Sequence, residues 1–218
     1  MDFAQARFNM VEQQIRPWDI LDFELLDVLS EIPREYFVLP EHQALAYVDQ
    51  ALPLANGSAM PEPRIVAKMI QALNIKKTER ALEVGTGSGY ATAVLAGLAD
   101  SVLSLDTDAK QHEFAQHALL RAGINNTQLS VVDGLKNLSQ RGEFDVVYVG
   151  GSISQVPENL LHALKDGGRL VAVISQNEQL MHATLFTRKG SDFAQEVLFE
   201  TAITALVEAA PAKAAFEF

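Results

Sequence analysis

The sequence predicts a doubly wound α/β fold with a mostly parallel sheet of seven strands, and three observations lead to it. From residue 80 onward, short apolar runs alternate with longer segments of helical character. A glycine-rich turn follows the first of these runs, and an acidic residue closes each of the next two. Strands that alternate with helices pair in parallel and carry helices on both faces of the sheet. The 218 residues fit one domain of this kind, and 48% of them are hydrophobic, which is enough for a sizeable core.

Local signals set the predicted bounds of the elements. Asp22 is placed to cap a helix, and Pro17 and Pro33 end helical segments. Pro61 and Pro63 suit a first helical turn. The predicted helices are 3–15, 23–31, 61–73, 90–99, 109–122 and 157–164; the predicted strands are 80–84, 102–105, 129–132, 144–149, 170–174, 183–188 and 193–199; 40–57 is predicted to be irregular and 166–168 a turn.

This pattern divides the chain into three parts. Residues 1–75 form a helical N-terminal region, and residues 76–208 form the α/β core. We expect the two to make one structural domain. Residues 209–218 are rich in alanine and low in complexity, which predicts a flexible tail.

The composition of the chain excludes several classes of binding partner. A net charge of −11 repels phosphate backbones, so nucleic acid is not a predicted partner. The absence of cysteine excludes disulfides and thiolate metal sites and is compatible with the cytoplasm. No apolar run is long enough to span a bilayer, and the N-terminus lacks a signal-peptide pattern, so we predict a cytoplasmic protein that does not associate with membranes. No histidine pair has metal-ligand spacing with a third ligand nearby, so no metal is predicted.

The glycine-rich turn spans residues 83–89 and reads Glu-Val-Gly-Thr-Gly-Ser-Gly. Small residues let the backbone approach a ligand closely where a strand turns into a helix. Asp106 ends the next apolar run, and Asp133 ends the one after it. Together these signals predict a site for a nucleoside-containing cofactor at the carboxyl ends of successive strands. The alternative is a tight turn with acidic residues that only cap helices.

The details of the turn favour one class of cofactor. A dinucleotide site uses the spacing G-x-G-x-x-G to hold a pyrophosphate at a helix N-terminus, whereas the glycines here are spaced G-x-G-x-G. An anionic Glu83 at the mouth of the turn would repel a pyrophosphate and suits a cofactor with a positive amino group and a sulfonium. The pattern E-x-G-x-G-x-G resembles the first motif of class I S-adenosylmethionine-dependent methyltransferases, which have a Rossmann-like sheet.

That resemblance implies S-adenosylmethionine as the cofactor. It also implies that Asp106 binds the ribose hydroxyls and that Asp133 accepts a hydrogen bond from the adenine amino group. The full set of cofactor-binding residues that it implies is Ser58, Ala59, Met60, Glu83, Gly85, Gly87, Ser88, Gly89, Tyr90, Asp106, Asp133 and Gly134.

Several further segments resemble the protein-L-isoaspartate O-methyltransferase family, and the likeness extends from Phe8 to about Phe199. The segments are 10–16, 32–38, 46–49, 52–54, 63–69, 144–150 and 167–171. The resemblance implies a sheet with a partly antiparallel edge and a helical N-terminal region over the cofactor. It also implies protein repair by transfer of a methyl group to a carboxylate.

The chain departs from the family pattern on the acceptor side. Alignment on Pro63 places Pro61 where the family has the serine hydroxyl beside the acceptor carboxylate. Proline has neither a hydroxyl nor a backbone N–H. Ser58 is three positions away and is not an assured replacement. Residues 171–174 also lack the family's Pro-Val-Gly turn. We therefore predict cofactor binding with altered or lost isoaspartyl specificity, and no residue is assigned a catalytic role.

Three functions are compatible with these residues. The first is a methyltransferase that acts on a protein, peptide or small-molecule acceptor. The second is true isoaspartyl repair, and the third is a non-catalytic S-adenosylmethionine-binding sensor or scaffold. A nicotinamide dehydrogenase ranks below these because its phosphate-binding spacing is missing. The acceptor, the pathway and the oligomeric state are not set by the sequence.

A few side chains have two interpretations each. Trp18 caps the acceptor pocket or anchors a loop, Arg64 faces a carboxylate or solvent, and Tyr90 packs on the cofactor or in the core. The Arg34-Glu35 pair is expected to fix the N-terminal region by ion pairs, and Ser152 and Ser154 line the acceptor site or are ordinary loop residues. The histidines, which are expected at surface or packing positions, are His42, His112, His117, His162 and His182.

Overall fold

The computed structural model describes residues 1–136, 138, 142–177 and 180–206. Within them, seven strands form one sheet. The strands are β3 (Arg80–Val84), β4 (Ser101–Asp106), β5 (Thr127–Val131), β6 (Phe144–Ile153), β7 (Leu164–Asn177), β8 (Leu180–Lys189) and β9 (Asp192–Glu200). Their order across the sheet is β5-β4-β3-β6-β7-β8-β9. A separate two-stranded ribbon pairs β1 (Leu52–Pro53) with β2 (Ala59–Met60). The predicted flexible tail, 209–218, lies outside the described residues.

The sheet is parallel from β5 through β7 and antiparallel from β7 to β9. This confirms the doubly wound, mostly parallel sheet and its partly antiparallel edge. The order reverses between β3 and β6, because β4 and β5 lie on one side of β3 and β6 lies on the other. Such a switch point opens a crevice at the carboxyl ends of the strands, where ligands bind in α/β sheets.

Helices cover both faces of the sheet and form the N-terminal region. They are α1 (Phe3–Asn9), α2 (Phe23–Glu31), α3 (Pro63–Leu73), α4 (Tyr90–Leu98), α5 (Ala109–Arg121) and α6 (Glu158–His162). A π-helical stretch, Met10–Ile15, continues α1, and short 3₁₀ turns occupy Arg16–Trp18, Arg34–Tyr36 and Pro40–Leu45. Asp22 caps α2 as predicted, since its Oδ1 accepts from the Leu25 N–H at 3.2 Å. Among the described residues, no helix combines the length and the apolar character needed to cross a bilayer.

Some predicted bounds were wrong. The fourth strand of the core, β6, continues to Ile153 instead of ending at 149, and β7 begins at Leu164 and so includes the turn predicted at 166–168. Glycine has low strand propensity, and for this reason the sequence favours a loop at 150–151 and a turn at 167–168. The segment 40–57 contains a 3₁₀ turn and β1 and is therefore not irregular throughout.

Arg34 links two segments of the N-terminal region to each other and contacts the core at Tyr90. Its side chain is fully buried, its Nε donates to the Ala46 carbonyl at 2.8 Å, and its Nη2 donates to the Pro61 carbonyl at 3.1 Å. The guanidinium also lies over the Tyr90 ring, 4.4 Å from the centroid. We expected ion pairs to fix this region; instead, backbone carbonyls and an aromatic face receive the buried cation. The neighbouring Glu35 accepts a hydrogen bond from the Tyr47 hydroxyl.

Candidate functional site

A cleft opens at the carboxyl ends of β3, β4, β5 and β6, where the order of the strands reverses. Its volume is about 860 Å³ including its open mouth, which lies within the ~300–1,000 Å³ typical of small-molecule sites. All twelve residues predicted to bind a cofactor, except Gly89, line this cleft. The fold therefore brings together residues that are as far apart in the chain as Ser58 and Gly134.

The glycine-rich turn forms the floor of the cleft between β3 and α4. Gly85, Gly87 and Gly89 all have positive φ, at 92°, 50° and 83°, a region that residues with a side chain rarely adopt. Gly89 caps α4 and is not part of the cleft lining. A Cβ there would lie 3.0 Å from the Ala115 Cβ. The third glycine thus permits helix α4 to pack on α5.

Asp106 holds the turn from the next strand. Its Oδ2 accepts from the Gly87 N–H at 2.8 Å, and its Oδ1 accepts from the Asp108 N–H at 2.9 Å. Asp133 follows β5, and its Oδ1 accepts from the Leu135 N–H at 3.0 Å while its Oδ2 pairs with the Lys136 ammonium at 2.9 Å. Each carboxylate oxygen can accept further hydrogen bonds, so both residues can receive hydroxyl or amino donors from a ligand.

Glu83 differs from the anion at the mouth that we expected from the sequence, because its side chain is fully buried at the base of the cleft. Its Oε2 accepts from the Ser104 hydroxyl at 2.6 Å and from the Thr92 hydroxyl. Burial raises the pKa of Glu83 to about 8, against the lowering effect of these two hydrogen bonds. The carboxyl is therefore mostly protonated at neutral pH, and a ligand cation beside it would favour ionisation.

One wall of the cleft comes from the ribbon and the turn before α3. The Ser88 hydroxyl donates to the Met60 sulfur at 3.1 Å, which links this wall to the glycine-rich turn. The Ser58 hydroxyl donates to Asn56 Oδ1 at 2.6 Å and is thus engaged at the rim. Pro61 lines the cleft and turns its carbonyl toward Arg34.

Sequence reasoning missed another part of the cleft wall, which consists of Thr204, Ala205 and Leu206. Ser152 attaches this segment to β6: its N–H donates to the Thr204 carbonyl at 3.0 Å, and its carbonyl accepts from the Leu206 N–H at 3.1 Å. Its hydroxyl donates to the Ile203 carbonyl, so Ser152 is a buried tether and not an acceptor-site hydroxyl. The isolated bridge that these residues form has no periodic signal in the sequence.

Two other ambiguous side chains lie together outside the cleft lining. Arg64 pairs with Asp49 Oδ2 at 2.9 Å, and its guanidinium stacks on the Trp18 ring at 4.1 Å from the centroid. Trp18 is thus an anchor on α3, the second of its two interpretations. Among the part of the chain that the structure describes, no group of three or more His, Asp or Glu side chains could hold a metal ion.

The sequence profile of the protein-L-isoaspartate(D-aspartate) O-methyltransferase family matches residues 6–210. The chain belongs to this family. It is 36% identical over 202 residues to the protein-L-isoaspartate O-methyltransferase of Aliivibrio fischeri, a match that covers 93% of this chain and 96% of the relative. It is also 36% identical over 191 residues to protein-L-isoaspartate O-methyltransferase 2 of Shewanella sediminis, which covers 88% and 78% of the two chains.

Two solved structures share the fold of this family member. A protein-L-isoaspartate O-methyltransferase superposes with a TM-score of 0.80 at 26% identity, over 91% of this chain and 65% of that one. A Plasmodium falciparum chain, described as a protein-L-isoaspartate O-methyltransferase in complex with S-adenosyl-L-homocysteine, gives a TM-score of 0.79 at 20% identity. The latter covers 92% of this chain and 97% of its own length and supports the fold alone.

Proposed function

We propose that this chain binds S-adenosylmethionine in the cleft and transfers its methyl group to a carboxylate oxygen of a protein, peptide or small-molecule acceptor. One observation carries the proposal. Asp133, Asp106 and Glu83 line one cleft on the successive strands β5, β4 and β3. The spacing of three acidic groups along this edge fits a ligand that carries an adenine, a ribose and an ammonium in that order. The relatives' names support methyl transfer as the reaction.

Each acidic residue has a role in this proposal. Asp106 is held rigidly by two backbone N–H groups and accepts from the ribose hydroxyls. Asp133 accepts from the adenine amino group at the end of β5. Glu83 faces the amino-acid end, where the positive ammonium stabilises its ionised form against the cost of burial. The unpartnered buried Oε1 of Glu83 is the acceptor that such an ammonium requires.

The main task of the protein in methyl transfer is to align the methyl group with the acceptor oxygen. The cofactor supplies a methyl group on a sulfonium, and the sulfur leaves as a neutral thioether when a carboxylate oxygen forms the new C–O bond. A carboxylate is ionised at neutral pH, so no general base is needed. The residues of the cleft contribute by fixing the methyl group at near-attack distance and direction.

We propose that Pro61 alters or abolishes acceptance of isoaspartyl groups. The residue lies on the cleft wall, it offers no hydroxyl, and Arg34 already engages its carbonyl. The neighbouring Ser58 hydroxyl is directed to Asn56. An acceptor carboxylate at this wall therefore lacks the hydrogen-bond donor that the family pattern provides.

A non-catalytic sensor remains the alternative, and the segment 203–206 is the observation that favours it. A Cβ on Gly85 would lie 2.7 Å from the Leu206 side chain, and one on Gly151 would lie 2.8 Å from it. Leu206 thus narrows the cleft beside the turn. A site that holds the cofactor while blocking the acceptor would act as a sensor.

A paired titration and methylation assay tests the proposal. We expect S-adenosylhomocysteine to bind in calorimetry. With S-adenosylmethionine as the methyl donor, we expect slow or no methylation of an isoaspartyl peptide. Methyl transfer to other carboxylate-bearing peptides or acids would separate an enzyme from a sensor. No binding at all would overturn the cofactor site.

A substitution tests the acceptor side. We expect Pro61→Ser alone not to give robust isoaspartyl methylation, because residues 171–174 also depart from the family pattern. Pro53→Ser, at an exposed residue of β1, is the matched control. Rapid methylation of the peptide by the Pro61 variant, but not by the control, would contradict this expectation.

The proposal also includes the roles of the two parts of the chain, its cellular compartment and its partners. The N-terminal region 1–75 covers the site and the α/β core 76–208 binds the cofactor. The protein works in the cytoplasm without nucleic acid or membrane partners.

A further inference from the structure

Buried polar atoms without partners surround the base of the cleft. They are Glu83 Oε1 and the Tyr148 hydroxyl, and neither has a hydrogen-bond partner within the part of the chain that the structure describes. Both residues are at most 1% exposed, and both line the cleft. A buried polar atom without a partner is costly, so native structures rarely leave one without a reason. Two such atoms in one cleft indicate a polar group that the ligand brings.

Tyr148 stands beside Glu83 on the sheet. In the parallel pairing of β3 with β6, Glu83 and Tyr148 are directly opposite, as Glu83 and Ser104 are on the other side. Paired residues of neighbouring strands point to the same face, so Ser104, Glu83 and Tyr148 form a polar row across three strands. Burial and the nearby Glu83 carboxyl both raise the pKa of the Tyr148 phenol, so it remains protonated at neutral pH.

The two carboxylate oxygens of Glu83 differ in their hydrogen-bond partners. Ser104 and Thr92 occupy Oε2, on the side of β4, whereas Oε1 has no partner. A phenol oxygen can accept a hydrogen bond through a lone pair. Glu83 Oε1 and the Tyr148 oxygen therefore offer two acceptors for one donor group with several protons.

The position of Tyr148 along the sheet identifies that donor. Asp133, Asp106 and Glu83 follow the order β5, β4 and β3, and Tyr148 lies one strand further, on β6. A ligand whose adenine and ribose lie over β5 and β4 extends its amino-acid end over β3 and β6. That end carries an ammonium, which has three donors and no acceptor.

We propose that Tyr148 is a cofactor-positioning residue whose hydroxyl, together with Glu83 Oε1, accepts hydrogen bonds from the α-ammonium of S-adenosylmethionine. The inference rests on the proposed function and extends it to a residue outside the glycine-rich motif. The two acceptors fix the amino-acid end on the β6 side. This position in turn sets the direction of the sulfonium methyl group toward the wall that contains Pro61.

The test compares two ligands on one variant. S-adenosylhomocysteine has the amino-acid end, and 5′-methylthioadenosine has the same adenine and ribose without it. We expect Tyr148→Phe to weaken S-adenosylhomocysteine by about ten-fold in calorimetry, as for a lost hydrogen bond to a charged group. Binding of 5′-methylthioadenosine should be unchanged, which also shows that the variant folds. Tyr36→Phe, which keeps the ring that stacks on Arg121, is the matched control and should change neither affinity.

Each other outcome overturns the assignment. Equal affinity of the variant and the unsubstituted chain for S-adenosylhomocysteine would mean that the hydroxyl makes no contact with the ligand. An equal loss for both ligands would mean that Tyr148 only shapes the cleft. Decarboxylated S-adenosylhomocysteine keeps the amine, and its insensitivity to the substitution would assign Tyr148 to the carboxylate instead. If the unsubstituted chain bound neither S-adenosylhomocysteine nor 5′-methylthioadenosine, that result would refute the proposed function instead.

Discussion

Replacement of Glu83 by glutamine should remove a pH dependence from the stability of the ligand-free protein. The side chain is fully buried, and glutamine can accept the same hydrogen bonds from Ser104 and Thr92 through its amide oxygen. It cannot titrate. Any difference between the two proteins that changes with pH therefore comes from the carboxyl of Glu83.

The sign follows from the two protonation states. The pKa of Glu83 is raised from 4.5 to about 8 by burial. Between these values the folded state holds a proton that the unfolded chain has released, so stability is greatest below the lower value and falls as the pH rises through the higher one. At about 1.4 kcal/mol per pH unit, the interval corresponds to a loss of about 5 kcal/mol in the free energy of unfolding.

Urea unfolding of both proteins at about pH 5 and at about pH 9 measures this loss. We expect the original protein to lose several kcal/mol more than Glu83→Gln over that range. Glu24→Gln, at an exposed residue of α2, controls for the removal of one carboxylate. Parallel curves for the original protein and the Glu83 variant would refute the reasoning, because they would mean that Glu83 is ionised in the empty cleft.

Three further substitutions test the site and its supports. Asp106→Asn should weaken the binding of S-adenosylhomocysteine about ten-fold in calorimetry, because a charged acceptor is lost. The control Asp108→Asn retains a good cap for α5 and should leave the affinity unchanged. Equal affinities of the Asp106 variant and the original protein would mean that Asp106 does not contact the ligand. Arg34→Met should lower the free energy of urea unfolding by about 2–4 kcal/mol because it leaves buried carbonyls unpaired. The control Arg16→Met, at an exposed ion pair, should lower it by less than about 0.5 kcal/mol. Similar losses for the two variants would mean that Arg34 does not anchor the N-terminal region. Gly150→Ala should lower the free energy of unfolding by about 1–3 kcal/mol in the same assay, since its Cβ would lie 2.5 Å from the Gly85 carbonyl oxygen. An unchanged urea midpoint would show that the backbone at Gly150 can move away from Gly85 at no cost.

Much of the core could be predicted because its signals are local. The bounds of β3 and α2 were predicted to the residue, whereas α3 begins at Pro63 instead of the predicted 61 and ends at 73 as predicted. These bounds could be predicted because an apolar run, a capping aspartate and a first-turn proline lie within the elements or next to them. The grouping of Glu83, Asp106 and Asp133 at one cleft followed from the rule that parallel strands end at the same edge.

The features that were missed depend on contacts between distant parts of the chain. Glu83 was expected to be an anion at the mouth of the glycine-rich turn, and only the packed structure shows that its carboxyl is enclosed. Tyr148 looked like one more residue of an apolar strand until its register opposite Glu83 was known. The wall at 204–206 is held by backbone hydrogen bonds to Ser152, and backbone groups carry no signature in the sequence.

The attachment of 203–206 to Ser152 has a consequence for how the protein is made. The glycine-rich turn leaves the ribosome early, but the cleft lacks one wall until the chain has been synthesised some 120 residues further, from Gly85 to Leu206. Contacts with such large separation in sequence form late and slowly. A nascent chain can therefore present the nucleoside side of the cleft before it can enclose a ligand, and cofactor affinity should report the completion of folding more faithfully than secondary structure does.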